Sequence, residues 1–113
     1  MSTQILRIYI SNTDKFRHTP LYEAIIFAAK RYELNGATAF RGEMGFGSSS
    51  MIHSRKFWDV TEKLPMVVEV IDEKQKIDLL LSKIIPWFEK LRYGCLIVVE
   101  DVQVILSKMG EKK

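Results

Sequence analysis

Cysteine and histidine are scarce in this chain of 113 residues: one cysteine, Cys95, and two histidines, His18 and His53. A lone cysteine excludes an internal disulfide, and with two distant histidines it excludes a Cys/His zinc site within one chain. No apolar run reaches membrane-spanning length, and no basic, apolar and small-residue succession opens the sequence, so a soluble cytoplasmic protein is expected. Charge of one sign is also lacking. The 17 Lys and Arg against 14 Asp and Glu leave a net +3, too little for a nucleic-acid footprint unless it gathers on one face.

What is present reads as one globular domain over residues 1–113, with hydrophobic residues enough for a single core. In Ile5-Leu6-Arg7-Ile8-Tyr9-Ile10, Leu6, Ile8 and Ile10 fall on one side of a strand and Ile5, Arg7 and Tyr9 on the other. After a polar loop from Asn12 to His18, Thr19 and Pro20 supply an N-cap and a first helical position. Leu21, Ala24, Ile25, Ala28, Ala29 and Tyr32 then recur at helical spacing until Asn35-Gly36. Ala37 to Arg41 predicts a second strand.

From Gly42 to Lys63 the sequence loses its period, carries three glycines and the run Ser48-Ser49-Ser50, and is far longer than an ordinary connection. A long mobile loop is expected there. Order returns at Leu64 to Asp72, a third strand with Met66, Val68 and Val70 on one face. Asp72-Glu73-Lys74-Gln75 resembles a capping box with Asp as the cap. Ile77, Leu80, Leu81, Ile84, Ile85 and Phe88 then mark the apolar face of a second helix, kinked by Pro86 and ended by Gly94. Cys95 to Leu106 predicts the last strand, with Cys95 as a small buried hydrophobe.

Strand, helix, strand, strand, helix, strand is the order of an α+β ferredoxin-like βαββαβ sandwich, an antiparallel four-stranded sheet with both helices on one face. The other face would carry Ile5, Tyr9, Val67, Ile71, Ile97, Val99 and Ile105, too apolar to stand in water as a broad patch. A chain of this length has nothing further to cover it, so another copy is the simplest cover.

Candidate chemistry concentrates in the loop. Gly45-Phe46-Gly47 followed by three serines offers backbone N–H groups and hydroxyls to an anion such as phosphate, although neither the P-loop pattern nor the third glycine of a dinucleotide fingerprint is present. The bland alternative is a surface loop. His18 and His53 have no nucleophile at motif spacing, so no catalytic constellation is identified and the protein is read as a non-enzyme. Glu69 and Asp101 are expected to share the outer face, with a salt bridge at a subunit seam as the simplest role. Phe40, Arg41, Phe46, Arg55, Lys56, Phe57 and Trp58 mix aromatic and basic groups around the loop, but Arg41-Gly42 lies on the wrong strand for an RNA-recognition signature. No nucleic-acid partner is expected.

Arg41-Gly42-Glu43-Met44-Gly45-Phe46-Gly47, His53-Ser54, Leu64-Pro65-Met66-Val67-Val68-Glu69-Val70-Ile71-Asp72-Glu73 and Glu100-Asp101-Val102, together with Asp14-Lys15 and Pro20-Leu21-Tyr22, resemble a conserved, uncharacterised family of small PII-like proteins of bacteria and archaea. The resemblance implies a PII-like homotrimer whose sheets face one another. It also implies a T-loop-like segment at 42–63 and an adenine nucleotide between adjacent subunits, with no other cofactor required. On this resemblance Gly45, Phe46 and Gly47 match the Gly-Phe-Gly at the loop base, Thr38 falls near an adenine-contacting threonine, and Gly94 matches the glycine before the last strand. Gly42 and His53 complete the matched motif. Ser48-Ser49-Ser50 stands where nitrogen-regulatory PII proteins carry Arg-Gln-Lys, and Cys95 replaces a lysine. Fewer charge-assisted phosphate contacts are then available, which favours AMP or ADP over ATP, with Arg41 or Arg55 assisting.

The expected function is a signalling protein in which the nucleotide biases the loop that contacts a target protein, a membrane transporter being one candidate. The alternative is a metal-linked or structural trimer of the divalent-cation-tolerance type, with His18, His53 or inter-subunit carboxylates as ligands.

Overall fold

The computed structural model describes residues 2–47, 53–54 and 63–111. The chain runs β1 (Thr3–Ser11), β2 (Lys15–Phe16), β3 (Thr19–Pro20), α1 (Leu21–Arg31), β4 (Thr38–Arg41), β5 (Met44–Gly45), β6 (His53–Ser54), β7 (Pro65–Glu73), α2 (Lys74–Lys90) and β8 (Leu96–Val102). Four strands form an antiparallel sheet in the order β4-β7-β1-β8, and this is the expected ferredoxin-like arrangement. The pairs β2 with β3 and β5 with β6 are separate two-stranded ribbons.

The period-2 pattern fixes which side chains are inside. Leu6, Ile8 and Ile10 of β1 and Met66, Val68 and Val70 of β7 are buried together with Leu21, Ile25, Ala28 and Ala29 of α1 and Ile77, Leu80 and Ile84 of α2, so both helices cover the same face. Burying each large aliphatic side chain contributes about 1.5–3 kcal/mol, and this layer is the main source of stability.

Several boundaries differ from expectation. Pro20 is the N-cap of α1 rather than its first residue, because Thr19 and Pro20 pair with Phe16 and Lys15. Asn35-Gly36 does not end α1. The helix stops at Arg31, with Glu33 at φ 64° and with the N–H groups of Glu33 and Leu34 donating to the carbonyls of Lys30 and Ala29 at 3.1 and 2.9 Å. That is a Schellman motif, built here on glutamate, with Leu34 buried beneath it.

Asp72 does not cap α2. Glu73 is the N-cap, without a side-chain bond, while the buried Asp72 carboxylate accepts the N–H groups of Asn35 and Glu73 at 2.9 and 2.7 Å. Strand and helix follow without a connection, and the carboxylate ties their junction to the lead-in of β4. The helix continues past Pro86 to Lys90 and ends at Leu91, not at Gly94.

The last strand stops at Val102, where its partner Thr3 begins β1; residues 103–106 join no ladder among the described residues. The register also reverses part of the face assignment. Ile97 and Val99 pair with Ile8 and Leu6 and therefore lie on the helix side, while Leu96, Val98 and Glu100 pair with Tyr9, Arg7 and Ile5 on the open side. An uninterrupted run such as Leu96-Ile97-Val98-Val99 has no polar alternation to set its phase. Asp101 pairs with Gln4, whose amide donates to it at 3.2 Å, and so does not share the face of Glu69. Cys95 is exposed, not buried.

Candidate functional site

The connections after β1 and β4 and before β7 and β8 gather at one end of the sheet, as the register requires. There the long loop is fastened at its base. Gly42 donates its N–H to the Pro65 carbonyl at 2.7 Å. A Cβ at Gly42 would lie 3.0 Å from Pro65 Cγ and 3.1 Å from Pro65 Cβ, and one at Gly45 3.0 Å from the same Cγ. Both positions let the backbone close on a proline ring where a side chain would be crowded. Gly45 pairs with His53 and Met44 with Ser54, so a short ribbon forms the stem of the segment expected to be a single loop. Leu64 completes the fastening: its carbonyl accepts the Asn12 N–H at 2.9 Å, and its own N–H donates to Asn12 Oδ1 at 2.7 Å.

Beside this stem Asp14 is buried, with Oδ2 accepting the Ser11 N–H at 3.0 Å and its carbonyl accepting the Leu21 N–H at 2.8 Å. Burial pushes its carboxyl pKa up, partly opposed by the Ser11 N–H and the charge of Lys63. Desolvation, followed by the negative charge of Asp14, raises the Cys95 thiol pKa. The β1–α1 connection and the start of β8 are thus within electrostatic reach of each other.

The candidate binding residues divide into groups. Gly42, Gly45 and the backbone of His53 meet at the stem. Phe46 stands 72% exposed just beyond it, and among the described residues nothing approaches a Cβ built at Gly47. Thr38 and Arg41 are the first and last residues of β4, paired with Glu69 and Met66. They fall on opposite faces, Thr38 on the open one, and are not brought together. Gly94 precedes β8 at the far edge of the sheet. Three strand spacings, about 14 Å, separate the two edges. Arg55 lies outside the described residues, as do Lys56, Phe57 and Trp58.

Thr38 borders a groove of about 600 Å³ that the sequence did not announce. One wall is Asn35, Gly36 and Ala37, the floor includes Glu69 and Ile71, and the other wall is Val104, Leu106 and Ser107. Asp72 holds the first wall through the Asn35 N–H. The C-terminal wall was hidden because Val104 and Leu106 read as a continuation of β8.

The open face itself is part apolar and part charged. Phe40, Val67, Tyr9 and Leu96 form one row across the four strands, and Phe40, Tyr9 and Leu96 are exposed. In the next row Arg7 donates from Nη1 to Glu100 at 2.9 Å and from Nε to Glu69 at 3.3 Å. These bonds, Glu100 first, raise the guanidinium pKa further. Two carboxylates of the open face, Glu69 and Glu100, are therefore joined through one arginine. Among the described residues no group of three His, Cys, Asp or Glu is placed to hold a metal ion, and no helix is long and apolar enough to cross a membrane.

The sequence model of DUF190, described as an uncharacterized ACR, matches residues 3–104. The chain belongs to the DUF190 family. A UPF0166 protein of Aquifex aeolicus is 38% identical over 102 residues, covering 90% of this chain and 92% of the relative. A UPF0166 protein of Methanocaldococcus jannaschii is 29% identical over 111 residues, 98% and 99% of the two chains. Among solved structures, CPII, a nitrogen regulatory PII-like protein from Thiomonas intermedia K12 bound to ADP, AMP and bicarbonate, superposes with a TM-score of 0.68 at 18% identity, over 92% of this chain and 89% of that one. This DUF190 chain thus has the PII-like fold, as its residues had suggested.

Proposed function

We propose that the protein is a PII-like regulatory protein that binds an adenine nucleotide, AMP or ADP in preference to ATP, at the boundary between copies of itself, and that the bound ligand biases the segment 42–63 that meets a target protein. The observation that carries this reading is the division of the candidate residues between opposite edges of the sheet. Thr38 and the Gly42–Gly45 stem stand at the β4 edge, and Gly94 at the β8 edge. A small ligand cannot touch both edges of one chain, whereas two adjacent copies, in a homotrimer or another closed ring, bring one edge of each together.

The exposed Phe40–Tyr9–Leu96 row supports self-association on physical grounds, since a patch of this kind in a small protein is ordinarily covered. The occurrence of ADP and AMP in the CPII structure supports the ligand class. In this reading Thr38 and its groove receive the base and the fastened stem presents backbone N–H groups to the phosphate. Arg41, Arg55 and His53 are within the same stretch of chain to assist. The ligand acts only through differential affinity for two arrangements of the loop, and no catalytic step is assigned.

Isothermal titration with AMP, ADP and ATP, alongside sedimentation velocity, tests the proposal. Saturable binding of AMP or ADP at one ligand per chain, weakened at least tenfold by Thr38→Val, is expected. Absence of binding by all three nucleotides at millimolar concentration overturns the ligand, and a monomer at micromolar concentration overturns the shared site.

A further inference from the structure

The net charge of +3 is not spread evenly over the chain. Residues 15–33 and 74–92, which hold α1, α2 and the β2–β3 ribbon, contain nine lysines and arginines against four acids, a net +5. Everything else together carries −2. The cations thus gather on the layer that covers the helix side of the sheet.

Within α2 the segregation is finer. Lys76, Leu79, Lys83, Trp87 and Lys90 succeed one another at intervals of three and four residues and form one stripe along the helix. The stripe runs beside α1 and its lead-in, since the Lys83 ammonium lies 5.4 Å from the centre of the Tyr32 ring and Trp87 stacks on Phe16 with ring centres 4.3 Å apart. Lys76 donates to the Glu33 carbonyl at 3.4 Å. Asp78 and Glu89, the acids of α2, fall on the other flank, where Asp78 is paired with Lys74 at 2.7 Å. An apolar side chain separates each pair of cations in the stripe. Leu79 and, on the exposed side of α1, Phe27 reach solvent.

Arg17 extends the row at the Trp87 end. Its guanidinium lies 5.1 Å from the centre of the Phe16 ring, and its φ of 60° is a left-handed conformation that disfavours residues with a bulky side chain. Cations steadied on aromatic rings lose less freedom when they meet an anion.

We propose that this stripe, with Phe27, docks an acidic amphipathic helix of a partner protein lying along α2. Lys76, Lys83 and Lys90 are seven residues apart, so their side chains leave the helix at intervals of about 10.5 Å. Carboxylates at seven-residue intervals on a second helix match that spacing, and apolar residues three or four positions further on meet Leu79, Trp87 and Phe27. The opposite charge selects such a helix and repels a basic one. A lipid surface or a flexible polyanion would be served equally by any other arrangement of the same charges. This surface needs neither the nucleotide nor self-association.

The test uses the full chain carrying Trp58→Phe, which leaves Trp87 as its one tryptophan. The probe is a labelled helical peptide of three repeats of Glu-Gln-Ala-Leu-Leu-Gln-Ala, read by its fluorescence anisotropy and by Trp87 emission. Saturable binding of one peptide per chain, with a change in Trp87 emission, is expected. A shuffled peptide of the same composition and the variant Lys76→Glu/Lys83→Glu/Lys90→Glu should each weaken it at least tenfold. Far-UV circular dichroism checks the fold; if the triple variant has lost it, Phe27→Asp on the other helix takes its place with the same loss expected. No binding of the periodic peptide overturns the proposal. Equal binding of the shuffled peptide, or undiminished binding by the folded triple variant, overturns the role of the stripe. Vesicles of equal phosphatidylglycerol and phosphatidylcholine form the last arm, and binding to them as tight as to the peptide overturns the helix as the occupant in favour of a lipid surface.

Discussion

The two faces of the four-stranded sheet are built from alternate residues of the same strands, yet they obey different rules. On the helix side Leu6, Ile8, Val68 and Val70 have at most 1% exposure, and all four are aliphatic. On the open side their immediate neighbours are Ile5, Arg7, Tyr9, Val67, Glu69 and Ile71, a mixture of buried apolar, exposed apolar and ion-paired groups. A period of two lets one stretch of sequence specify a core and an open surface independently. The cost of a substitution should therefore depend more on which face it strikes than on which strand.

The largest expected effect breaks that comparison most directly. Ile8→Ala should destabilise the protomer by about 2–5 kcal/mol through lost burial and the cavity left behind, whereas Tyr9→Ala, one residue later, should change protomer stability by no more than about 0.5 kcal/mol and act on self-association instead. Urea unfolding and sedimentation of the two variants separate these outcomes; equal losses of stability would show that the open face also supports the fold.

Gly42→Ala comes next. Crowding against Pro65 should cost about 1–3 kcal/mol, while Gly47→Ala, which meets none of the described residues, should leave the unfolding midpoint unchanged. Should Gly47→Ala alone weaken nucleotide binding, the loop base would be separated into a structural and a ligand-facing part. A smaller gain is expected from Glu33→Gly, which relieves the positive φ at the end of α1 and should stabilise by about 1 kcal/mol in thermal unfolding.

The smallest effect is one of pH. Asp14 has a folded-state pKa above its ordinary value. In the window between the two values the folded state holds the proton and the unfolded state has released it, so stability falls as pH rises through that window and is constant above it. Asp14→Asn keeps an oxygen for the Ser11 N–H and should remove that slope in urea titrations across the acid range. An unaltered slope would locate it in another group.

The helix-covered layer was legible in the sequence because its signals are redundant: Leu6, Ile8 and Ile10 alternate, and Ile77, Leu80 and Ile84 repeat at helical spacing. Each local pattern agrees with its neighbours. Beyond that layer the signals were single. Leu96 to Val99 carries no polar residue to set its face. The continuation of its apolar character through Leu106 was indistinguishable from strand, since only the position of Thr3 decides where pairing stops. Glu33 in place of glycine concealed the end of α1. At the candidate site, the glycines of the stem were visible as a cluster, but their common cause, the ring of Pro65, is a contact over a sequence distance that spacing does not encode. The wall formed by Val104, Leu106 and Ser107 was invisible for the same reason.

The ribbon of β5 and β6 has a polymer consequence. By pairing Gly45 with His53, it turns one long connection into two successive closures, residues 46–52 beyond the stem and the stretch from Ser54 back to Leu64. The entropy of closing a loop grows only logarithmically with its length, about 0.6 kcal/mol for each doubling. Residues can therefore be added to or removed from 46–52 at little thermodynamic cost, while the register at Gly42, Gly45 and Pro65 stays the same. The length and composition of the tip are free to vary, and the anchorage at Pro65 is insulated from that variation.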